Sequence, residues 1–279
     1  MRVVLLRFVL LATIVGTLVW FMPTTVTGQT PVPGTPVWSP SRTPDGQPDF
    51  RGVWRVGDVG EPDDIELGVD PQHAQIQGRA PRPALVIVDP VDKKIPYTPQ
   101  AMAIKQERYA DRRSTNPLVR DPLLRCFLAG VPRINYTNNT FQVHQSAGYV
   151  LLIHEFQHAY RIVPLDNRPR LGENVKLWMG DSRGRWEGNT LVIDVTNYND
   201  KTWFDQVGAF HSDTLHVVER WMMVDADTIN YEATLEDPKA YTRPWKMGFK
   251  FLRNKQPDWE PQEDACYEGH HMAEQFRAR

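Results

Sequence analysis

The sequence predicts a mainly β protein whose strands run antiparallel and close into a barrel. Three observations point there. Between residues 141 and 252, seven segments rich in β-branched and aromatic residues follow one another. The connections are short and carry turn residues, with no helical pattern between them, and sequential strands joined in this way are antiparallel neighbours. Apolar and polar residues alternate along the later segments, as on a sheet with one face against a core. Seven or eight such strands fit a closed barrel or a sandwich.

The 279-residue chain is long enough for one large domain or two small ones. Residues 1–28 read as a secretory signal peptide. Arg2 and Arg7 precede an apolar run over 8–22, Pro23 ends the run, and Val26 and Gly28 sit at small-residue positions before a cleavage site. The alternative is a retained N-terminal anchor, since the run approaches the ~17 residues of a minimal span. Membrane contact is expected through this segment alone, if it stays uncleaved, and the location is secreted or periplasmic. Without Arg2 and Arg7, 30 basic residues stand against 34 acidic ones, a net charge near −4 with no basic block. That excludes a nucleic-acid surface, which needs clustered positive charge. Prolines at 31, 33, 36, 40, 44 and 48 make residues 29–48 an extended leader. Residues 49–279 then form a single β-rich domain. Cys126 and Cys266 are the chain's two cysteines, and in a secreted protein an even count predicts a disulfide rather than two buried thiols.

In chain order, 49–56 is the first strand, and its Gly52-Val53-Trp54 resembles the opening strand of lipocalin-like barrels. Residues 57–82 are polar and read as a loop, and 84–88 as a short buried strand. A helix is predicted over 98–113. Thr98 is the N-cap, Pro99 fits the first position, Arg112 and Arg113 suit the C-terminal dipole, and Met102, Ala103, Gln106 and Ala110 give a partial stripe. The strands that follow are 141–145, 149–163, 175–179, 190–197, 215–224, 228–235 and 245–252. The whole is a lipocalin-like (calycin-like) barrel with one short helix before it. On 215–223 the odd row is Leu215, Val217, Glu219, Trp221 and Met223. A carboxylate in an apolar row must be paired, neutralised or used, so Glu219 is expected to be buried beside Arg161, His158 or Arg183.

Two patterns look catalytic. His154-Glu-Phe-Gln-His158 matches the H-E-x-x-H of zinc proteases, but that chemistry needs a helix to align both imidazoles. The flanks here favour β-structure, no N-cap precedes, and Pro164 follows closely. Since 15 residues are too many for one ordinary strand, a bulge or turn is expected within the motif. Gly180-Asp-Ser-Arg-Gly184 matches G-x-S-x-G, and a nucleophile elbow requires a helix after the turn. A strand follows instead, so the segment reads as a hairpin loop fixed by an Asp181–Arg183 ion pair. Further polar clusters lie at 211–213, at His216 with Glu219 and Arg220, and at 268–271.

The blocks HAYRIVPLD (158–166), GDSRGRWEG (180–188), HSDTLHVVER (211–220), EDPKAYTRPW (236–245) and ACYEGHH (265–271) resemble those of a family of secreted bacterial proteins of uncharacterised function. The resemblance spans roughly residues 125–271. It brings no activity, and implies that Glu155, His158 and Arg161 are family-motif positions. The family pattern has an aromatic residue where this chain has His154, and a histidine where it has Tyr267, which makes the complete H-E-x-x-H incidental.

The sequence therefore predicts a barrel that binds a small organic ligand, with acid–base chemistry of isomerase, lyase or hydrolase type open to it. The candidate catalytic residues are His158, Glu155, Arg161 and Glu219. The candidate ligand-binding residues are Trp178, Asp181, Arg183, Trp186, His216 and Trp221. No cofactor or metal is called for. The alternatives are a non-catalytic module of the cell envelope and a metal-dependent hydrolase using His154 and His158.

Overall fold

The computed structural model describes residues 38–57, 59, 62–68, 86–137, 140–262 and 266. The predicted signal segment, most of the leader, Tyr267 and the 268–271 cluster lie outside the described residues. Ten strands form one sheet: β1 (Gly52–Val56), β2 (Ile87–Asp89), β3 (Thr140–Ser146), β4 (Tyr149–His154), β5 (Tyr160–Pro164), β6 (Asp181–Glu187), β7 (Thr190–Thr196), β8 (His216–Asp225), β9 (Thr228–Glu236) and β10 (Trp245–Arg253). Nine of them follow the order β5-β4-β3-β1-β10-β9-β8-β7-β6, and every pairing is antiparallel. The mainly β, antiparallel barrel is thus what the chain forms. The short strand β2 lies off the ring and shares one edge of β10 with β1, pairing Met247 with Ile87 while β1 pairs Phe251 with Val56.

Strand direction alternates at each step of the ring, so nine strands bring β5 and β6 together parallel. Their contacts advance in step: Arg161 meets Ser182, and Val163 meets Gly184. The ring of backbone pairing ends at these two strands, and side chains close the seam. A Cβ on Gly184 would lie 2.7 Å from both Val163 Cγ1 and Leu165 Cδ2, which is why a side chain is missing there.

The odd rows of β8, β9 and β10 face inward as their alternation predicts. Trp221, Tyr231, Phe249 and Phe251 meet Phe141 of β3 in one aromatic nest. Trp221 stacks on Phe251 at 4.7 Å between centroids, and Phe141 stands edge-on to Phe251 at 4.9 Å. Burying rings of this size supplies most of the favourable free energy of such a core.

Helix α1 (Pro99–Asp111) follows β2 in the chain and precedes the other eight strands. Thr98 caps it, its Oγ1 accepting from the Ala101 N–H at 3.2 Å. The stripe read from the sequence is only partly the packed one. Ala103 and Ala110 are exposed, and Ala101 and Lys105 are buried. Lys105 is tolerated because its ammonium pairs with Glu66 and lies 5.8 Å over the Tyr97 ring.

Two segments differ from what their sequence predicts. Residues 175–179 form no strand; they carry one isolated bridge, Leu177 to Tyr198. The GDSRG motif is no hairpin loop but the first half of β6, and the turn lies at Gly188 and Asn189, where Gly188 takes φ +61° as a two-residue hairpin demands. The sequence hid this because glycine at 184 signals a turn until the seam against β5 is known. The 149–163 segment divides as expected, into β4, a turn over 155–159 and β5.

Cys126 and Cys266 are bonded, with Cα atoms 5.8 Å apart and 140 residues of sequence between them. No described helix is long and apolar enough to cross a membrane. Opening a loop of that length corresponds to about 5 kcal/mol of chain entropy. Reduction, or the Cys126→Ser/Cys266→Ser variant, is expected to lower the unfolding free energy measured in urea by several kcal/mol. At the seam, Gly184→Ala is expected to destabilise by roughly 1–3 kcal/mol through overpacking, read by the same titration.

Candidate functional site

Glu219 is fully buried on the inner face of β8. The partner is Arg161, on the inner face of β5, whose Nη2 donates to Glu219 Oε2. Arg161 Nε donates to Ser182 Oγ at 2.9 Å. The second carboxylate oxygen of Glu219 accepts from Asn135 Nδ2 at 2.9 Å and from Tyr231 Oη at 3.0 Å. Asn135 arrives on a 3-10 turn (Arg133–Asn135) whose Ile134 is also fully buried. A carboxylate from one wall and a guanidinium from the opposite end of the strand order therefore meet inside the barrel, with three neutral groups around them.

His154 ends β4 and points inward beside Phe141, ring centroids 5.3 Å apart. Burial, and then the positive charge of Arg161, lower its pKa to about 3, so the imidazole is neutral at physiological pH. Burial pulls against the charge on Arg161, and Glu219 outweighs it, leaving the guanidinium more firmly protonated than usual. Tyr198 and Tyr231 are pushed well above the ordinary phenol value, first by burial and then by the Glu219 charge. Several polar atoms of these groups have no hydrogen-bonding partner among protein atoms: both His154 ring nitrogens, Arg161 Nη1, Asn135 Oδ1 and Tyr198 Oη. A buried donor or acceptor left so forfeits roughly 1–3 kcal/mol.

The predicted site residues do not converge as a set. Arg161, Glu219 and Trp221 lie inside the barrel. Trp221 is a core ring rather than an open binding face, 1% exposed. Glu155 and His158 lie on the turn between β4 and β5, with His158 exposed and at φ +48°; the strand ends at His154, and the motif turns away from the interior. The same break means that the helical geometry of a zinc protease does not form. Among the described residues no group of three or more His, Cys, Asp or Glu is placed to hold a metal. Asp181 and Arg183 do pair, on the outer side of β6, where they hold the 166–172 loop through Asp181 Oδ2 accepting from Leu171 N at 3.0 Å and Arg183 Nη2 donating to the Pro169 carbonyl at 2.7 Å. Trp186 packs edge-on to Phe50 at 5.2 Å. His216 is on the outer face, 3.2 Å from Asp194, whose hydrogen bond raises its pKa. Trp178 is half-buried against Phe127.

Asn135, Ser182, Tyr198 and Tyr231 reach this cluster without being among the residues the sequence singles out, and His154, whose motif reads as incidental, joins them. Tyr231 was legible as an inward position and Ser182 as the centre of a distracting motif. Asn135 and Tyr198 carry no local signal.

No protein-family model matches the chain, and no curated protein matches it. Among solved structures it is similar to a mutant of the fluorescent protein UnaG, at 10% sequence identity and a TM-score of 0.32, over 74% of this chain and 97% of that one.

Removing one member of a buried ion pair strands the other charge and typically destabilises by about 3–5 kcal/mol. Glu219→Ala and Arg161→Ala are each expected to lose that much in urea unfolding, and Arg161→Met with Glu219→Leu to recover most of it. His154 gives a pH signature. Its folded pKa lies below the unfolded value, so its contribution is present above the unfolded value of about 6.5 and is lost as pH falls towards about 3. Asp205, which burial and then the Asp64 charge push up to about 7, works the opposite way, its contribution being lost as pH rises through that value. His154→Phe is therefore expected to remove up to about 1.4 kcal/mol per pH unit of acid sensitivity below pH 6. Urea midpoints for both proteins at pH 7, 5 and 4 would measure the difference.

Proposed function

We propose that this protein is a secreted or periplasmic barrel that binds a small organic molecule against its interior polar cluster, and that it belongs to the family of secreted bacterial proteins whose sequence blocks it resembles. One observation carries the binding proposal: unpartnered donors and acceptors of His154, Arg161, Asn135 and Tyr198 gather around the Arg161–Glu219 pair inside an apolar wall. A compact molecule with both an acceptor and a donor would complete them. The disulfide between Cys126 and Cys266 fits an oxidising compartment.

The same groups would supply acid–base chemistry of an isomerase, lyase or hydrolase type. Neutral His154 would hydrogen-bond a ligand's polar group without taking a charge, and the charge of Arg161 would stabilise an anion beside it. Glu219 acts on Arg161 and is a positioning group in this scheme. The competing reading, a non-catalytic envelope module, draws on the near-complete burial of the same residues, with Arg161 3%, His154 1% and Glu219 0% exposed.

The test is a thermal-shift screen of small polar organic molecules on the oxidised protein. A ligand at a hundred times its Kd stabilises by about 2.7 kcal/mol. The expected hit loses its effect in His154→Phe and keeps it in His216→Ala on the outer wall, and mass spectrometry of the hit after incubation reports turnover. If every hit stabilises His154→Phe as well as the unaltered protein, the interior is not the site and the module reading stands.

A further inference from the structure

We propose a second binding site, outside the barrel, for a planar organic anion of one or two rings carrying a carboxylate or a phosphate. It lies in a cleft of about 680 Å³ between α1 and the turns that follow it, a volume typical of small-ligand sites.

Three arginines line it: Arg108 from α1, Arg120 and Arg125. Each keeps one guanidinium nitrogen buried with no acceptor, Nη1 of Arg108 and Nε of Arg120 and Arg125. Among the described residues none of the three forms an ion pair, whereas Arg133, on the neighbouring turn, has a close bidentate partner in Asp121 at 2.9 and 2.8 Å. An arginine held this way keeps its charge without a directly paired carboxylate. Arg108 is wedged over the Phe210 ring at 4.3 Å and the Trp203 ring at 5.1 Å, and burial lowers its pKa despite the nearby acids. Glu107, Asp111 and Asp200 also line the cleft, against the three arginines and Lys201, so the lining has one positive charge in excess.

The wall is aromatic. Trp178 and Phe127 stack with planes 9° apart and centroids at 4.7 Å, and the Arg125 guanidinium lies 5.1 Å over the Phe127 ring. Phe127 remains 40% exposed. The Cys126–Cys266 bond anchors the backbone between Arg125 and Phe127, so the platform is held in place before any ligand arrives. A planar ring would extend the stack, and its acid group would give the guanidinium forks the bidentate acceptor they lack. Trp178 was expected from the sequence to bind a ligand, and this cleft gives it a setting apart from the interior cluster.

Isothermal titration calorimetry of the oxidised protein tests the assignment with 1-naphthoate, 1-naphthyl phosphate and the uncharged 1-naphthamide. The expected result is saturable one-to-one binding of at least one anion, at least tenfold tighter than the amide; which anion binds tells carboxylate from phosphate. Arg120→Gln and Arg125→Gln should each weaken it about tenfold, Trp178→Ala should weaken all three probes, and His154→Phe in the interior should change nothing. Equal affinity for the amide, undiminished binding in both arginine variants whose circular dichroism is unaltered, or loss of binding in His154→Phe would overturn the proposal.

Discussion

The Arg161–Glu219 pair organises the interior. It ties β5, at one end of the strand order, to β8, near the other. Because both charges are out of water, each requires the other, and the hydrogen bonds that Ser182 accepts from Arg161 and that Asn135 and Tyr231 donate to Glu219 supply what the pair cannot. Those bonds recruit β6, β9 and the 133–135 turn to the same point. A hydrophobic pair of similar volume could fill the same space; the charged pair joins β5 and β8 through one directional contact.

The outer surface follows different rules. Over β6, β7 and β8, Asp181 pairs with Arg183, Arg170 and His216 both meet Asp194, and Arg170 also donates to the Asp181 carbonyl. In water such pairs contribute little each, but here they pin the 166–180 connection across the sheet. The blocks that anchor these loops on the outer wall also send Arg161, Ser182 and Glu219 to the interior, on alternate positions of the same strands.

Much of the fold was legible because period-two alternation reports burial directly. The rows holding Val217, Glu219 and Trp221, or Met247, Phe249 and Phe251, required no tertiary knowledge, and Glu219 announced itself as a charge in an apolar row. Residues 175–179 and Gly184 misled in opposite senses. A β-prone stretch without a neighbouring edge stays irregular, and a glycine that reads as a turn is the thinnest part of a packed strand. The partnership of Arg161 with Glu219, 58 residues apart, could be narrowed only to three cations. Asn135 lay beyond reach, since nothing near it in sequence marks it as a group that enters the barrel.

The odd number of strands in the ring sets how the barrel can breathe. Everywhere else, parting two strands means breaking a ladder of backbone hydrogen bonds. Between β5 and β6 no backbone ladder joins the strands, and parting them slides Val163 and Leu165 off Gly184 and releases Ser182 from Arg161. The wall therefore has a built-in parting line, and it runs past Arg161. The easiest excursion of the fold is also the one that first wets its buried charges.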